Sequence, residues 1–184
     1  MKSTAKRMLL FLVMAAILIV PDQITKQLAV EHLKGAESIP IIKNVLYLLY
    51  VENKGAAFGV FQGAQYMFYV ITVVVLAGIL YVVYKTPVKD RYFYPVLFVA
   101  ELVFAGAIGN FIDRVNQMYV VDFIYFSPID FPVFNVADIY VTSGCIIMVL
   151  LFLFHYKDED FAYLSLRKTK RTEEDKKEIP VEEK

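Results

Sequence analysis

The chain has 184 residues, of which 58% are hydrophobic and 15% aromatic, and its charged residues, 21% of the total, lie mostly at the two ends and in short loops. This distribution is typical of a chain embedded in lipid, and the length predicts a single domain. Nineteen basic residues balance nineteen acidic ones, so no overall basic field favours nucleic acid as a partner. The single cysteine, Cys145, has no second thiol for a disulfide or a zinc site, and we interpret it as a small packing residue.

Four apolar stretches predict four transmembrane helices, over about residues 8–25, 66–84, 92–112 and 138–156. A helix needs about 20 mostly apolar residues to cross a bilayer. The first stretch is short and follows three basic residues, as the core of a secretory signal peptide would. However, no small-x-small cleavage site comes after it. We therefore interpret it as a spanning helix that continues past Asp22.

The distribution of Lys and Arg predicts the orientation, because cytoplasmic segments accumulate positive charge. Three basic residues precede the first span, three lie in the loop 85–91, and eight follow Tyr156. Residues 22–65 contain four, offset by four acidic residues, and residues 113–137 contain one. Both termini are therefore predicted to be cytoplasmic. The chain divides into one membrane-embedded domain, residues 1–156, and a charged cytoplasmic tail, residues 157–184, predicted to be disordered and dispensable for activity.

Two short segments outside the spans predict strands. Residues 45–51 (VLYLLYV) and residues 120–126 (VVDFIYF) are rich in β-branched and aromatic residues. Both belong to the segments predicted to lie outside the membrane. We expect a small sheet on the outer face, with Tyr and Phe at the level of the lipid headgroups.

Polar residues gather at the outer ends of the spans, although charge at membrane depth costs a few kcal/mol or more. Asp22 and Lys26 are four residues apart and share a helical face, which an interfacial ion pair with an extended Lys26 would also explain. Asn53 and Gly55 fit a turn, but small residues there would also let a substrate backbone approach.

A third cluster ends the third span. Gly106, Asn110 and Arg114 lie on one stripe of the helix, with Asp113 beside it. Glycine permits close approach, Asn offers both a donor and an acceptor, and Arg can hold a carboxylate or backbone carbonyls. Helix packing combined with an ion pair explains the same residues equally well.

The fourth cluster consists of Asp122, Asn135 and Asp138. Capping of the fourth helix explains Asn135 or Asp138. It does not explain Asp122, a carboxylate inside an apolar strand. Asp122 and Asp138 could form a pair, although spacing alone does not bring them together.

Two other polar residues have weaker claims. Glu101 lies in the middle of the third span, about 13 Å from Asn110 at the helical rise, too far to join the outer clusters. We interpret it as a protonated or hydrogen-bonded packing residue, with a proton relay as the alternative. His155 is at the cytoplasmic end of the fourth span and fits an interfacial role.

Five motifs follow one another along the chain: D-x-x-T-K at residues 22–26, N-x-G-A-A-F at 53–58, G-x-x-G-N-x-x-D-R at 106–114, V-V-D-F at 120–123 and F-N-x-A-D at 134–138. In this order, on a four-span chain of this length, they resemble the lipoprotein signal peptidases (signal peptidase II), aspartyl protease family A8. The resemblance covers about residues 8–156. One departure is Ala105, where the family often has a second glycine; the change exchanges one small residue for another.

The resemblance implies an α-helical membrane protein with four transmembrane helices and a small extracytoplasmic β-sheet, or β-cradle, between helices one and two. It implies an aspartic endopeptidase of the bacterial cytoplasmic (inner) membrane, with its active site near the outer face. The enzyme would cleave a prolipoprotein on the N-terminal side of a cysteine that carries a diacylglyceryl group. Its partners would be that substrate and membrane lipids, and we expect a monomer with no cofactor and no metal.

By motif position, the resemblance assigns the catalytic roles to Asp122 and Asp138. It gives Asp113 a supporting role, and the residues that would bind substrate or brace the site are Asp22, Lys26, Asn53, Gly106, Asn110, Arg114 and Asn135.

The outer segments show no Ser or Cys nucleophile with a base and no cluster of metal ligands, which leaves acid–base catalysis with water as nucleophile. Two nearby carboxylates would share one proton, since both cannot ionise cheaply. A proton-coupled transporter is the alternative, but it predicts carboxylates along the membrane depth, and here only Glu101 lies deep. A non-catalytic interaction protein would leave the outer Asn and Asp clusters without a role.

Overall fold

The computed structural model describes residues 2–55, 65–87 and 91–164, without the side chains of Lys2 and Ser3. Its main elements are, in chain order, α1 (Lys2–Leu33), β1 (Ile39–Ile42), β2 (Leu46–Asn53), α2 (Gln65–Lys85), α3 (Tyr94–Gln117), β3 (Val120–Phe126) and α4 (Val136–Phe154). Short 3-10 helices occur at Arg91–Phe93, Ser127–Ile129 and Asp158–Leu164.

Four of these helices, within the described residues, are long and apolar enough to cross a membrane. They leave large apolar side chains exposed, such as Val74 at 65% and Leu153 at 67%, which suits a lipid environment. The predicted α-helical membrane fold with four spans is thus confirmed. The first helix runs further than the predicted span, through Pro21 and on to Leu33. Its last turns pack against the sheet, where Ala29 and Leu33 join one apolar cluster with Phe123.

The helix α3 lies at the centre of the bundle and contacts the other three spans. Phe104 packs edge-on against Phe11 of α1, with ring centroids 5.2 Å apart. On the other side, Gly144 lets α4 come close to α3, since a Cβ there would lie 2.7 Å from a methyl group of Val103. Close packing through small residues is typical of membrane helices.

At one end of the bundle, the start of α1 meets the end of α2. Arg7 donates hydrogen bonds to the backbone carbonyls of Tyr84 and Thr86. The C-terminal 3-10 helix covers the same end: the ring of Tyr163 lies 5.2 Å from that of Phe93. The chain stays packed to Leu164, beyond the predicted tail boundary at residue 156, because aromatic residues of the 158–164 segment fill this end. The rest of the predicted tail, residues 165–184, lies outside the described residues.

The opposite end of the bundle holds a three-stranded antiparallel sheet in the order β1-β2-β3. The predicted strands 45–51 and 120–126 correspond to β2 and β3. Since β3 follows α3, the sheet draws strands from both connections at this end, and not only from the one between helices one and two. The strand β1 (IPII) was not predicted, because it is short, contains Pro40 and is exposed at every position.

Candidate active site

Asp122 and Asp138 line one cavity of about 600 Å³ at the sheet end of the bundle. Asp122 lies within β3, whose residues 120–123 are buried. Asp138 lies in the first turn of α4. The antiparallel pairing of Val51 with Asp122 brings the end of β2 beside the same cavity. The fold thus gathers a strand, its neighbour and a helix start around two carboxylates.

Asn135 connects the two aspartates. Its side-chain oxygen accepts from the backbone N–H of Asp138 at 3.0 Å, and Asp138 Oδ2 accepts from the backbone N–H of Asn135 at 3.1 Å. This is a capping box at the start of α4. At the same time, the Nδ2 group of Asn135 donates to Asp122 Oδ1 at 2.6 Å. Capping therefore accounts for part of what Asn135 and Asp138 do, and the contact with Asp122 is additional.

Two further asparagines hold the outer oxygens of the aspartates. Asn53 Nδ2 donates to Asp122 Oδ2 at 2.8 Å, and its own Oδ1 accepts from the backbone N–H of Gly55 at 3.0 Å. Asn110 Nδ2 donates to Asp138 Oδ1 at 2.8 Å. Each aspartate therefore receives two N–H donors, which fix its carboxylate without adding a formal charge.

Arg114 lines the same cavity. One of its guanidinium nitrogens donates to the carbonyl of Gly55 at 3.2 Å, and the guanidinium lies over the ring of Phe68, 4.7 Å from its centroid. The backbone carbonyl of Arg114 accepts from Tyr69 at 2.8 Å. Arg114 thereby ties the end of α3 to the connection between β2 and α2.

Behind the cavity, Lys26 is buried, at 3% exposure, between two carboxylates. Its ammonium group lies 3.0 Å from Asp22 and 3.1 Å from Asp113. It also donates to Asn110 Oδ1 at 2.9 Å, which turns the amide so that Nδ2 faces Asp138. The alternative of an exposed Lys26 extended towards the headgroups does not hold, since the side chain points into the bundle.

Asp22 is fully buried and joins α1 to the start of α4, because its Oδ1 accepts from the backbone N–H of Ala137 at 2.8 Å. This contact needs space. A Cβ at Gly109 would lie 2.5 Å from Asp22 Oδ2, and one at Gly106 would lie 2.5 Å from the carbonyl of Ala137. Both glycines of α3 are therefore required for the close approach of their neighbours.

The surroundings of Asp122 favour the protonated form of its carboxyl. Burial, and then the negative charge of Asp138, raise the pKa of Asp122 from its ordinary value of 3.8 to about 7. The hydrogen bonds from Asn53 and Asn135, and the charge of Lys26, act in the opposite direction. The two carboxyl groups are thus coupled, and a single shared proton near neutral pH is the expected state.

The weaker polar residues lie apart from this cavity. Glu101 is buried in α3, and its Oε1 has no hydrogen-bond partner among the described residues. His155 stacks near Tyr92 at the other end of the bundle, with centroids 4.8 Å apart. Cys145 is exposed on α4 and not a buried packing residue, because it faces outward from the bundle.

Gln23 was not among the predicted site residues. Its amide donates to Asp22, to Asp113 and to the carbonyl of Gly109, at 3.1 to 3.2 Å, and so closes the network around Lys26. Gly109 belongs to the motif at residues 106–114 but was not among the predicted site residues. A polar residue beside a buried carboxylate in an apolar helix was the available signal for Gln23. Residues 56–58 of the second motif lie outside the described residues.

Residues 14–154 match the family model for signal peptidase (SPase) II, Peptidase A8. The chain belongs to the signal peptidase II family. It is therefore a multi-pass membrane protease of the aspartic class, and the activity of its family is the removal of signal peptides from lipoproteins.

Relatives and solved structures agree with this family. The chain is 43% identical over 153 residues to the lipoprotein signal peptidase of Halalkalibacterium halodurans, covering 82% of this chain and 94% of the relative. It is 45% identical over 138 residues to that of Halothermothrix orenii, covering 75% and 91%. A bacterial membrane enzyme solved by the in meso method superimposes with a TM-score of 0.71 at 31% identity, over 87% of this chain and 94% of that one. A second such structure gives 0.69 at 33% identity, over 79% and 94%.

Proposed function

We propose that this signal peptidase II cleaves prolipoproteins whose cysteine carries a diacylglyceryl group, on the N-terminal side of that cysteine, with water activated by Asp122 and Asp138. One observation supports this assignment above the others. The two carboxylates line a single cavity and are joined through one side chain, Asn135. Such a pair can share one proton, so that one carboxyl group acts as a base while the other acts as an acid, as in aspartic proteases.

In the first step, the ionised aspartate takes a proton from water as the oxygen attacks the carbonyl before the cysteine. The protonated aspartate donates to the developing oxyanion. When the tetrahedral intermediate collapses, the C–N bond breaks and the cysteine nitrogen leaves with a proton from the dyad. The raised pKa of Asp122, about 7, favours Asp122 as the partner that holds the proton before the attack.

Neighbouring side chains would position the substrate. Asn53 and Asn110 lie at the cavity wall, where their amides can also meet an extended peptide backbone. Arg114 would brace the wall through Gly55. Asp22, Lys26 and Asn135 would act from behind, by fixing the start of α4 and the orientation of Asn110.

The lipid of the substrate would bind to the apolar part of the same cavity. Phe131, Pro132 and Val133, from the connection between β3 and α4, form one wall, and Ile139 of α4 forms another. Each buried methylene of an acyl chain contributes about 0.8 kcal/mol. The lipid therefore serves as a recognition element as well as a tether.

The orientation proposed from the sequence places this cavity near the outer face of the inner membrane. The end of the bundle with the cavity carries the connections 22–65 and 113–137. The first has as many acidic as basic residues, and the second has a single basic residue, as is typical of segments outside the cytoplasm. The opposite end carries Arg7, the start of α1 and the segment 158–164. A monomer suffices, since every group named above comes from one chain.

A cleavage assay on a purified diacylglyceryl precursor in nanodiscs tests the proposal. Positioned acid–base groups contribute about 10²- to 10⁴-fold, so Asp122→Asn and Asp138→Asn should each lower turnover by at least about 10²-fold. Glu101→Gln is the matched control, since it removes a buried carboxyl group that lies apart from the cavity. All three variants should accumulate in the membrane. Turnover retained by either aspartate variant would refute the dyad.

A further inference from the structure

Thr142 lies one helical turn beyond Asp138 on α4 and lines the same cavity. At four residues' separation, the two side chains share a face and lie about 6 Å apart along the helix axis. The cavity therefore extends from the dyad along α4, towards the middle of the span. A group attached to the residue at the scissile bond would meet Thr142 there.

The face that carries Thr142 is otherwise apolar and exposed. Ile139, Ile146, Val149 and Leu153 are exposed by 42%, 57%, 57% and 67%. With Thr142 they follow a spacing of three and four residues, which forms one continuous stripe along α4. In a membrane this stripe faces lipid. A hydroxyl group on it has a desolvation cost unless it finds a hydrogen-bond partner.

The hydroxyl of Thr142 has no hydrogen-bond partner in the described part of the chain. A helical threonine can satisfy itself by donating to the carbonyl four residues earlier. Thr25 does so with Pro21 at 2.9 Å, and Thr86 with Val82 at 2.8 Å. Thr142 does not, so its donor remains available to whatever occupies the cavity.

We propose that Thr142 recognises the lipid of the substrate, by donating a hydrogen bond to an acyl ester carbonyl of the diacylglyceryl group. This inference rests on the proposed function. The thioether joins the glyceryl group to the cysteine beside the scissile bond. The ester carbonyls are therefore tethered to the scissile nitrogen by the cysteine side chain and the glyceryl group, a link long enough to span one helical turn. They are acceptors without donors of their own, which matches a free hydroxyl. The acyl chains would then continue along Ile146, Val149 and Leu153.

The test compares two precursors of identical peptide and chain length, one with ester-linked acyl chains and one with ether-linked alkyl chains. The ether precursor lacks the carbonyl acceptor. Thr142→Val removes the hydroxyl and keeps the shape of the side chain. One neutral hydrogen bond corresponds to about a fivefold change. We expect Thr142→Val to raise KM about fivefold for the ester precursor, with little change in kcat, and to leave KM for the ether precursor unchanged.

Two further variants make the result specific. Thr142→Ser keeps a hydroxyl and should retain the preference for the ester precursor. Thr72→Val alters a half-buried threonine in the span α2 that does not line the cavity, and should match the wild type with both precursors. An equal rise in KM for both precursors, or no rise for the ester, would overturn the assignment of Thr142. Failure of the wild type to cleave the ester precursor would instead refute the proposed function itself.

Discussion

Asn135 Nδ2 lies 2.6 Å from Asp122 Oδ1, although the two residues belong to a helix cap and to the strand before it. The same side chain caps α4 at Asp138. One amide thus performs a structural task through its oxygen and fixes a carboxylate through its nitrogen. The two tasks can be separated by substitution.

Asn135→Ser keeps an oxygen that can cap the helix, and its shorter side chain lacks the Nδ2 group that donates to Asp122. Asp122 becomes charged when it gives its proton to the oxyanion, and a hydrogen bond to a charged group contributes about 1.5–3 kcal/mol. The value of kcat/KM should therefore fall by roughly 10- to 150-fold. Thermal stability should stay close to that of the wild type. Asn135→Ala removes both functions and should lose about 1 kcal/mol of stability as well. Full activity in the Ser variant would show that the contact with Asp122 is incidental.

The raised pKa of Asp122 predicts the pH dependence of catalysis. If Asp122 holds the shared proton, kcat/KM should fall as the pH rises through about 7. Asn53 donates to Asp122 and lowers its pKa, so Asn53→Ala should move this limb of the profile to higher pH, whatever its effect on the maximum. Asn116→Ala, at an exposed position on α3, should leave the limb in place. A limb that stays fixed in Asn53→Ala would exclude Asp122 as its source.

The same pKa predicts how stability depends on pH. Between 3.8 and about 7, the folded protein binds the Asp122 proton more tightly than the unfolded chain does. Stability contributed by this group is therefore lost as the pH rises through that window. In detergent, the melting temperature should therefore fall as the pH rises through this window. The fall should be smaller in Asp122→Asn, because the asparagine does not titrate. An identical slope in both proteins would contradict the assignment.

Gly109 should tolerate no side chain, because a Cβ there would lie 2.5 Å from Asp22 and 3.3 Å from Ala137 Cβ. Gly109→Ala must displace Asp22 from the start of α4, and overpacking of this kind costs about 1–3 kcal/mol. Gly78→Ala is the matched control, since nothing lies within 4 Å of its Cβ position on α2. Thermal unfolding should show a lower melting temperature for Gly109→Ala and no decrease for Gly78→Ala. Equal melting temperatures would mean that Asp22 moves aside freely.

Much of the fold could be predicted because the bilayer imposes strong rules on sequence. Apolar runs gave the four spans, and the helical spacing placed Asn110 and Arg114 together. Polar residues at the ends of spans were recognisable as candidate site residues, because charged and polar groups are costly at membrane depth and are rare there. The sequence therefore predicted which residue types surround Asp122 and Asp138, but not how these residues are arranged in space.

The contacts that assemble the site depend on long-range packing, which local patterns do not contain. Asn53 reaches Asp122 only through the register of β2 against β3. Lys26 reaches Asn110 only because α1 and α3 pack at one particular depth. The short strand β1 is exposed at every position, so its sequence shows no alternation of apolar and polar residues. The role of Gln23 depends on the folded structure, which brings Asp22 and Asp113 together around its amide.

The packing of residues 158–164 against the bundle predicts two different outcomes of truncation. Residues 168–184 are charged and lie beyond residues 14–154, which match the family. Removing them should leave cleavage and melting temperature unchanged. Removing residues 157–184 also takes away Tyr163, whose ring contacts Phe93 and whose hydroxyl lies 3.2 Å from Thr86 Oγ1, and Phe161, which packs on Tyr156 at 5.2 Å.

Loss of these half-buried aromatic contacts should lower the melting temperature of the shorter protein by about 5 °C or more. The dyad lies at the other end of the bundle, so kcat at a temperature well below unfolding should stay close to that of the wild type. Tyr163→Ala in the full chain should reproduce part of the fall in melting temperature. That result would attribute the fall to the aromatic ring and not to the number of residues removed. A large fall in activity on removing residues 168–184 alone would show that the charged tail takes part in function, and equal melting temperatures for both truncations would show that residues 158–164 do not stabilise the bundle.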